Sequence, residues 1–347
     1  MSRTGIFTVS LDFELFWGVC DHKTLSNYGK SLLGARQAIP ILLDTFKEYD
    51  IHVTWATVGF LFAANKDELN AHLPTVRPAY SDNTLDPYPR LAGIGQDEQN
   101  DPYHYANSLI KKIASYQGQE LASHTFSHYY CLEPGQTREA FCSDLESALK
   151  IAKSYGFNLR SLVFPRNQYN ADYLTACDEY GITAYRGNQS GWMYEARNKS
   201  GNTWYRRLAR LVDAYIRISG NNTYDIYSVS HSVPVNVPAS RLLRPVSNKL
   251  KYLEPLRLAR IKSEMSAAAR YGRLYHLWWH PHNFGSNTAE NILFLRKILS
   301  HFRCLQQAYG MRSMHMSEVA CEMRSLASRD ASRQSDTVQS MRTASHG

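Results

Sequence analysis

Apolar residues recur along this chain with two alternating periods. Short runs such as Ile6-Phe7-Thr8-Val9-Ser10-Leu11 carry the mark of a buried strand. Between them lie stretches where apolar positions return every three or four residues, as at Leu32, Leu33, Ile39, Leu42, Leu43 and Phe46. That spacing marks an amphipathic helix. The pattern predicts strands over 6–11, 52–55, 121–123, 161–164, 182–185, 274–279 and 312–314. It predicts helices over 31–49, 105–116, 137–155, 171–180, 255–271 and 288–308, and a last one from Ser317. Residues 65–104 read as a polar, Pro-containing insertion, and about 187–250 as an irregular segment with one helical stretch over 204–219. No flexible linker divides the chain, so one α/β domain is expected over 1–327, and residues 328–347, rich in Ser and Arg, are expected to be disordered. Strands alternating with helices imply parallel strands covered by helices, as a barrel or an open sheet.

Composition narrows the classes. Of the 347 residues 44% are hydrophobic and 20% charged, enough for a sizeable core. No apolar run approaches the ~20 residues of a spanning helix, and Met1 to Thr8 lack the basic and apolar stretches of a secretory leader, so a cytoplasmic location is expected. The net charge of +8 attracts anions in general, but its residues are scattered and no aromatic-interleaved basic run points to nucleic acid. Six cysteines without C-x-x-C spacing read as reduced thiols.

Four segments place chemistry where strands end, the side on which parallel α/β folds build their sites. Asp12 and Glu14 close the first strand and, two apart, share a face. His124 and His128 follow the strand 121–123; four apart, they share a helical face, and neutral imidazoles at that spacing can grip one metal. Either motif alone is common on protein surfaces. Together they supply two imidazoles and a carboxylate, with positions left for water. Arg166 leaves the strand 161–164 and is suited to hold a carboxylate in a bidentate fork. His280 ends the strand 274–279 beside Trp278 and Trp279, a setting for a general acid, whereas His282 lies beyond Pro281.

In this order and spacing the segments resemble the polysaccharide deacetylase family, the NodB-homology or carbohydrate esterase family 4 domain. His124, Thr125 and His128 meet its H-[ST]-x-x-H motif in full; Asp12-Phe13-Glu14 stands where T-F-D-D is usual, and Trp278-Trp279-His280 matches L-x-L-H loosely. The resemblance implies an irregular (β/α) barrel of about seven parallel strands and a divalent metal, Zn²⁺ before Co²⁺, Ni²⁺ or Fe²⁺. It implies Glu14, His124 and His128 as ligands, Asp12 as base, Arg166 as the group that positions Asp12, and His280 as acid. The roles of Asp12 and Glu14 can also be exchanged. The implied reaction removes an N-acetyl or other acyl group from an amino sugar of bacterial surface-polysaccharide metabolism. With a cytoplasmic location and positive charge, that sugar is expected on a nucleotide or lipid carrier, the latter with peripheral membrane contact. Tyrosines 80, 88, 103 and 105, and the segment 185–205, are candidate walls of a sugar groove, with a purely structural role equally open. Two other classes compete: a deformylase or cyclic amidase on the same scaffold, and a sugar-binding protein without catalysis. The oligomeric state is not legible in the sequence.

Overall fold

The computed structural model describes residues 3–225 and 233–326; the tail expected to be disordered, 328–347, lies outside them. Among the described residues nine strands are all paired in parallel: β1 Ile6–Phe13, β2 Val53–Thr57, β3 Gln119–Ser123, β4 Ser161–Leu162, β5 Ala184–Tyr185, β6 Val235–Asn236, β7 Arg241–Leu242, β8 Leu274–Trp279 and β9 Arg312–Ser313. The helices are α1 Leu25–Tyr49, α2 Lys66–Ala71, α3 Asn107–Ala114, α4 Arg138–Ser154, α5 Leu174–Glu179, α6 Trp204–Asp213, α7 Glu254–Tyr271 and α8 Thr288–Tyr309, with a further helix over 316–326. Every residue of β1, β2 and β8 is buried, which explains why these strands read as near-continuous apolar runs: both of their faces are covered.

The strand order is β6-β5-β4-β3-β2-β1-β8-β7, with β9 beside the start of β1. Its two edges belong to one stretch of chain. The N–H groups of Val235, Val237 and Ala239 donate to Thr183, Tyr185 and Gly187 on the β5 side, and those of Ser240 and Leu243 donate to His276 and Trp278 of β8. Residues 235–243 therefore join both edges, giving a curled sheet of seven strand positions, the barrel implied by the family resemblance. The segment escaped the hydrophobic pattern because Pro234 and Pro238 interrupt it and each half pairs over only two residues.

Helix α1 starts six residues before the predicted position, at a turn where the Thr24 N–H donates to Asn27 Oδ1 at 3.1 Å. Its buried stripe (Ile39, Leu42, Leu43, Phe46) lies in the main core cluster with residues of β1 and β8. A side chain on Gly34 would come within 1.9 Å of the Gly285 carbonyl, so glycine lets α1 seat against the turn that follows His280. Of the tyrosines for which a groove wall and a purely structural role were equally open, Tyr80, Tyr88 and Tyr105 take the structural one, buried in the core where their rings stabilise more than they would facing solvent.

The joining segment is tied to α7 by a buried ionic network. Glu264 accepts from Arg241 Nε (2.8 Å) and Nη2 (2.7 Å), from Arg260 Nε (3.1 Å) and from Tyr275 Oη (3.2 Å). Removing the carboxylate leaves two guanidinium groups buried beside Asp213 alone, so Glu264→Ala is expected to cost about 3–5 kcal/mol. Chemical denaturation reads this as a lower midpoint; an unchanged midpoint would remove the network from the account of closure.

Candidate metal centre and reactive cleft

Strand register brings the reactive groups to one level. Phe13 pairs with Thr57 and Thr57 with Ser123, so Glu14 and His124 are the first residues beyond the sheet at the same height. Leu11 pairs with Trp279, which sets His280 level with Asp12.

Glu14 is turned inward by a tight bend. Leu15 adopts φ 44°, and a short 3₁₀ helix over Leu15–Gly18 is pinned where the Trp17 indole donates to the His104 carbonyl at 2.9 Å. The carboxyl group fills the space a side chain at Gly18 would need, since a Cβ there would stand 1.9 Å from Glu14 Cδ.

His124 and His128 are not on a helix. They flank a turn in which Thr125 and His128 both take φ 61°, a conformation that costs non-glycine residues energy and concentrates at functional sites. Asp144 of α4, fully buried, holds this turn by accepting from the N–H groups of Phe126 (2.6 Å) and Ser127 (3.1 Å) and from the Ser127 hydroxyl. Burial pushes the Asp144 carboxyl up to about 6. Thr125 Oγ1 donates to the His124 carbonyl (2.6 Å) and accepts from the Tyr129 N–H (2.7 Å), which gives the middle Thr of the motif its task.

Glu14 Oε2 lies 3.3 Å from His124 Nε2 and 3.1 Å from His128 Nε2, and all three side chains are buried. His124 Nδ1 faces the Val163 carbonyl at 2.8 Å, so it carries the hydrogen. In the neutral ring this leaves Nε2 as a bare lone pair, with no hydrogen-bond partner, aimed at a carboxylate. Two acceptors face to face repel unless a cation lies between them. The donor set of two imidazoles and one carboxylate, within 4.8 Å of one another, fits a divalent metal such as zinc. Burial raises the Glu14 pKa, but its contacts with His280, His124 and His128 outweigh that and hold it well below the usual carboxylate range. Burial lowers His128 despite the attraction of Glu14, keeping its imidazole neutral.

Asp12 stands beside this centre and outside the ligand cluster. The expected partner, Arg166, does not hold it: the Arg166 guanidinium pairs with Asp21 and lies 4.5 Å from the Tyr130 ring centre. Arg166 takes φ 55° after its strand, which directs it to the cavity wall. Arg186, directly after β5, makes the bidentate contact instead, with Nη1 to Asp12 Oδ1 at 2.6 Å and Nη2 to Oδ2 at 2.8 Å. It also donates to Ser10 and Asn167 and lies 4.2 Å above the Trp278 ring. Burial raises Asp12, yet Arg186 outweighs it and keeps the carboxyl ionised below its ordinary range. Arg186 obeys the strand-end rule that singled out the other residues, and its position after Ala184-Tyr185 was the available signal.

His280 Nε2 lies 3.7 Å from Asp12 Oδ2 and 3.6 Å from Glu14 Oε1, at the border of the cleft. His282 stacks behind it at 4.9 Å; burial, then His280, push it down to about 3, so it stays neutral. The cleft has a volume of about 720 Å³ and is lined by Asp12, Glu14, His128 and His280 together with Tyr28, Tyr194 and Trp278.

The contact between Gly18 and Glu14 makes a direct test. Gly18→Ala is expected to lower metal affinity at least ~10-fold by displacing the carboxylate. Gly93→Ala, where a Cβ meets nothing within 4 Å, serves as control. Titration with zinc measures both, and equal affinities would remove Glu14 as a ligand.

Residues 31–185, which include both histidines of the centre, match the sequence profile of the polysaccharide deacetylase family. No curated protein matches the sequence. Among solved structures, a candidate polysaccharide deacetylase from Mycobacterium smegmatis superimposes with TM-score 0.58 at 13% identity, covering 94% of this chain and 92% of that one. PuuE allantoinase gives 0.54 at 10% identity, covering 91% and 88%. A second candidate polysaccharide deacetylase, from Pseudomonas aeruginosa, gives 0.52 at 10% identity, covering 91% and 89%. These likenesses carry the fold, and over residues 31–185 the chain is similar in sequence to the polysaccharide deacetylase family.

Proposed function

We propose that this chain is a metal-dependent deacylase that removes an N-acetyl or related acyl group from an amino sugar, or a sugar-containing precursor, of bacterial surface polysaccharide. The observation that carries the reading is the clustering of Glu14, His124 and His128 with a separate, arginine-held Asp12 and a nearby His280 in one cleft. A divalent ion bound by Glu14, His124 and His128 supplies positive charge that polarises the acyl carbonyl and acidifies a water.

The protein's own groups divide the remaining work. Arg186 fixes the Asp12 carboxylate in one orientation and keeps it ionised, ready to take a proton from the attacking water. Burial of Asp12 and Arg186 keeps competing solvent from that pair. His280, protonated, donates to the nitrogen of the leaving amine, and its place at the edge of both carboxylates keeps that proton close to the reacting atoms. Trp278 and Tyr194 offer flat apolar faces in the cleft, of the kind that sugar rings pack against. The roles suit Glu14 as ligand and Asp12 as base, since only Glu14 approaches both histidines.

Asp12→Asn and His280→Ala are each expected to lower turnover ~10²–10⁴-fold while leaving metal content unchanged. Release of acetate from N-acetyl sugars, monitored with a coupled assay, tests this. Undiminished turnover in either variant would remove that residue from the mechanism. Formate or a ring-opened acid as product would move the reading to another C–N hydrolase.

A further inference from the structure

Helix α6 is turned inside out. Along its sequence, Trp204-Tyr205-Arg206-Arg207-Leu208-Ala209-Arg210-Leu211-Val212-Asp213, successive residues rotate by about 100°. Trp204, Leu208 and Leu211 share one side, and Arg206, Arg210 and Asp213 the other. The charged side is the one that packs inward: Arg206 and Asp213 are buried, whereas Trp204 is 76% and Leu208 50% exposed. Trp192, 51% exposed, lies 6.2 Å from the Tyr205 ring and extends the patch, and Ile216 and Ile218 stand out beyond the end of the helix. An apolar face of this size turned outward is the exception for a water-facing helix and marks a contact surface.

Behind that face the arginines line the reactive cleft. Arg207, Arg210 and Arg244 share the cavity of Glu14, His128 and His280. Arg210 donates to the Met193 carbonyl (2.9 Å) and to Asn202 Oδ1 (2.5 Å); among the described residues neither Arg210 nor Arg244 has a carboxylate partner. Burial lowers both guanidinium groups, and for Arg210 the neighbouring Arg206, Arg244 and Arg207 add to this, so an anion entering the cleft would relieve the repulsion. No helix of the described residues is long and apolar enough to cross a membrane, and a Trp- and Leu-bearing face backed by arginines suits one lying in the interface plane.

We propose that the outer face of α6 docks on an anionic lipid surface, and that Arg207, Arg210 and Arg244 receive the phosphate of an acylated sugar carried on a lipid in that surface. The docking surface stands independently of the chemistry; the identity of the substrate rests on the deacylase reading.

Flotation of the full chain with vesicles tests the first part. Binding is expected to vesicles containing phosphatidylglycerol and to be at least ~10-fold weaker on pure phosphatidylcholine, as expected for the exposed Arg207 and Arg217 beside that face. The double variant Trp204→Ser, Leu208→Ser should lose binding to both while keeping wild-type metal content, which shows that it is folded. A wild-type protein that stays in solution with both vesicles, or a variant that binds as the wild type does, would overturn the proposal. So would a wild-type dimer, seen by sedimentation without lipid, that the double substitution dissolves, because the face would then meet a second copy of this chain. For the second part, the preference for N-acetylglucosamine 1-phosphate over N-acetylglucosamine should fall roughly tenfold in Arg210→Gln. An unchanged preference would remove the arginines as phosphate ligands. Vesicle binding with no turnover of any acyl sugar would leave the docking surface standing and defeat the deacylase reading.

Discussion

Two imidazole nitrogens aimed at one buried carboxylate are the constraint on which this structure turns. In the neutral ring His124 Nε2 presents a lone pair to Glu14 across 3.3 Å with no hydrogen-bond partner, an arrangement that a cation held between them relieves. Much of the surrounding fold holds these groups in place. The common register of β1, β2 and β3 brings Glu14 and His124 to one height, Gly18 leaves room for the carboxylate, and Asp144 braces a turn that carries two left-handed residues.

The same layer of strand ends separates two charge environments. Glu14 sits among histidines and is suited to a metal. Asp12, two residues earlier on the same strand face, is clamped by Arg186 and kept ionised. Two carboxylates of similar intrinsic acidity thereby acquire different surroundings through their neighbours alone. Arg186 is available because β5 ends beside it, and β5 is held in the sheet by residues 235–243, which Glu264 ties to α7 through Arg241. Closure of the sheet and orientation of Asp12 are linked through that chain of contacts.

What the sequence disclosed follows from how far each signal reaches along the chain. Asp12, Glu14, His124, His128 and His280 were legible because each sits in a short motif at the end of an apolar run, and the structure brings all five together. The helical reading of His124 and His128 was not sustained, because spacing of four is shared by helices and by turns such as this one, where Thr125 and His128 take positive φ. Arg166 was expected to hold Asp12, a contact that Arg186 makes instead; both follow strands, and only the three-dimensional path of β4 and β5 decides which guanidinium reaches Asp12. Gly18 and Asp144 act through contacts with residues distant in sequence or in the turn, which no periodicity reports. The closing segment 235–243 was hidden by its prolines and by its switch from one partner strand to the other, and the inverted face of α6 is defined only once the inward side is known.

The most direct test of the central claim is the metal content, by mass spectrometry, of protein purified without chelators or a histidine tag, set beside its His124→Ala/His128→Ala variant. About one divalent ion per wild-type chain, absent from the variant, is the expected result. Failure of the wild-type protein to hold metal even after zinc is added back would contradict it, and the unpartnered His124 Nε2 facing Glu14 would then need another explanation.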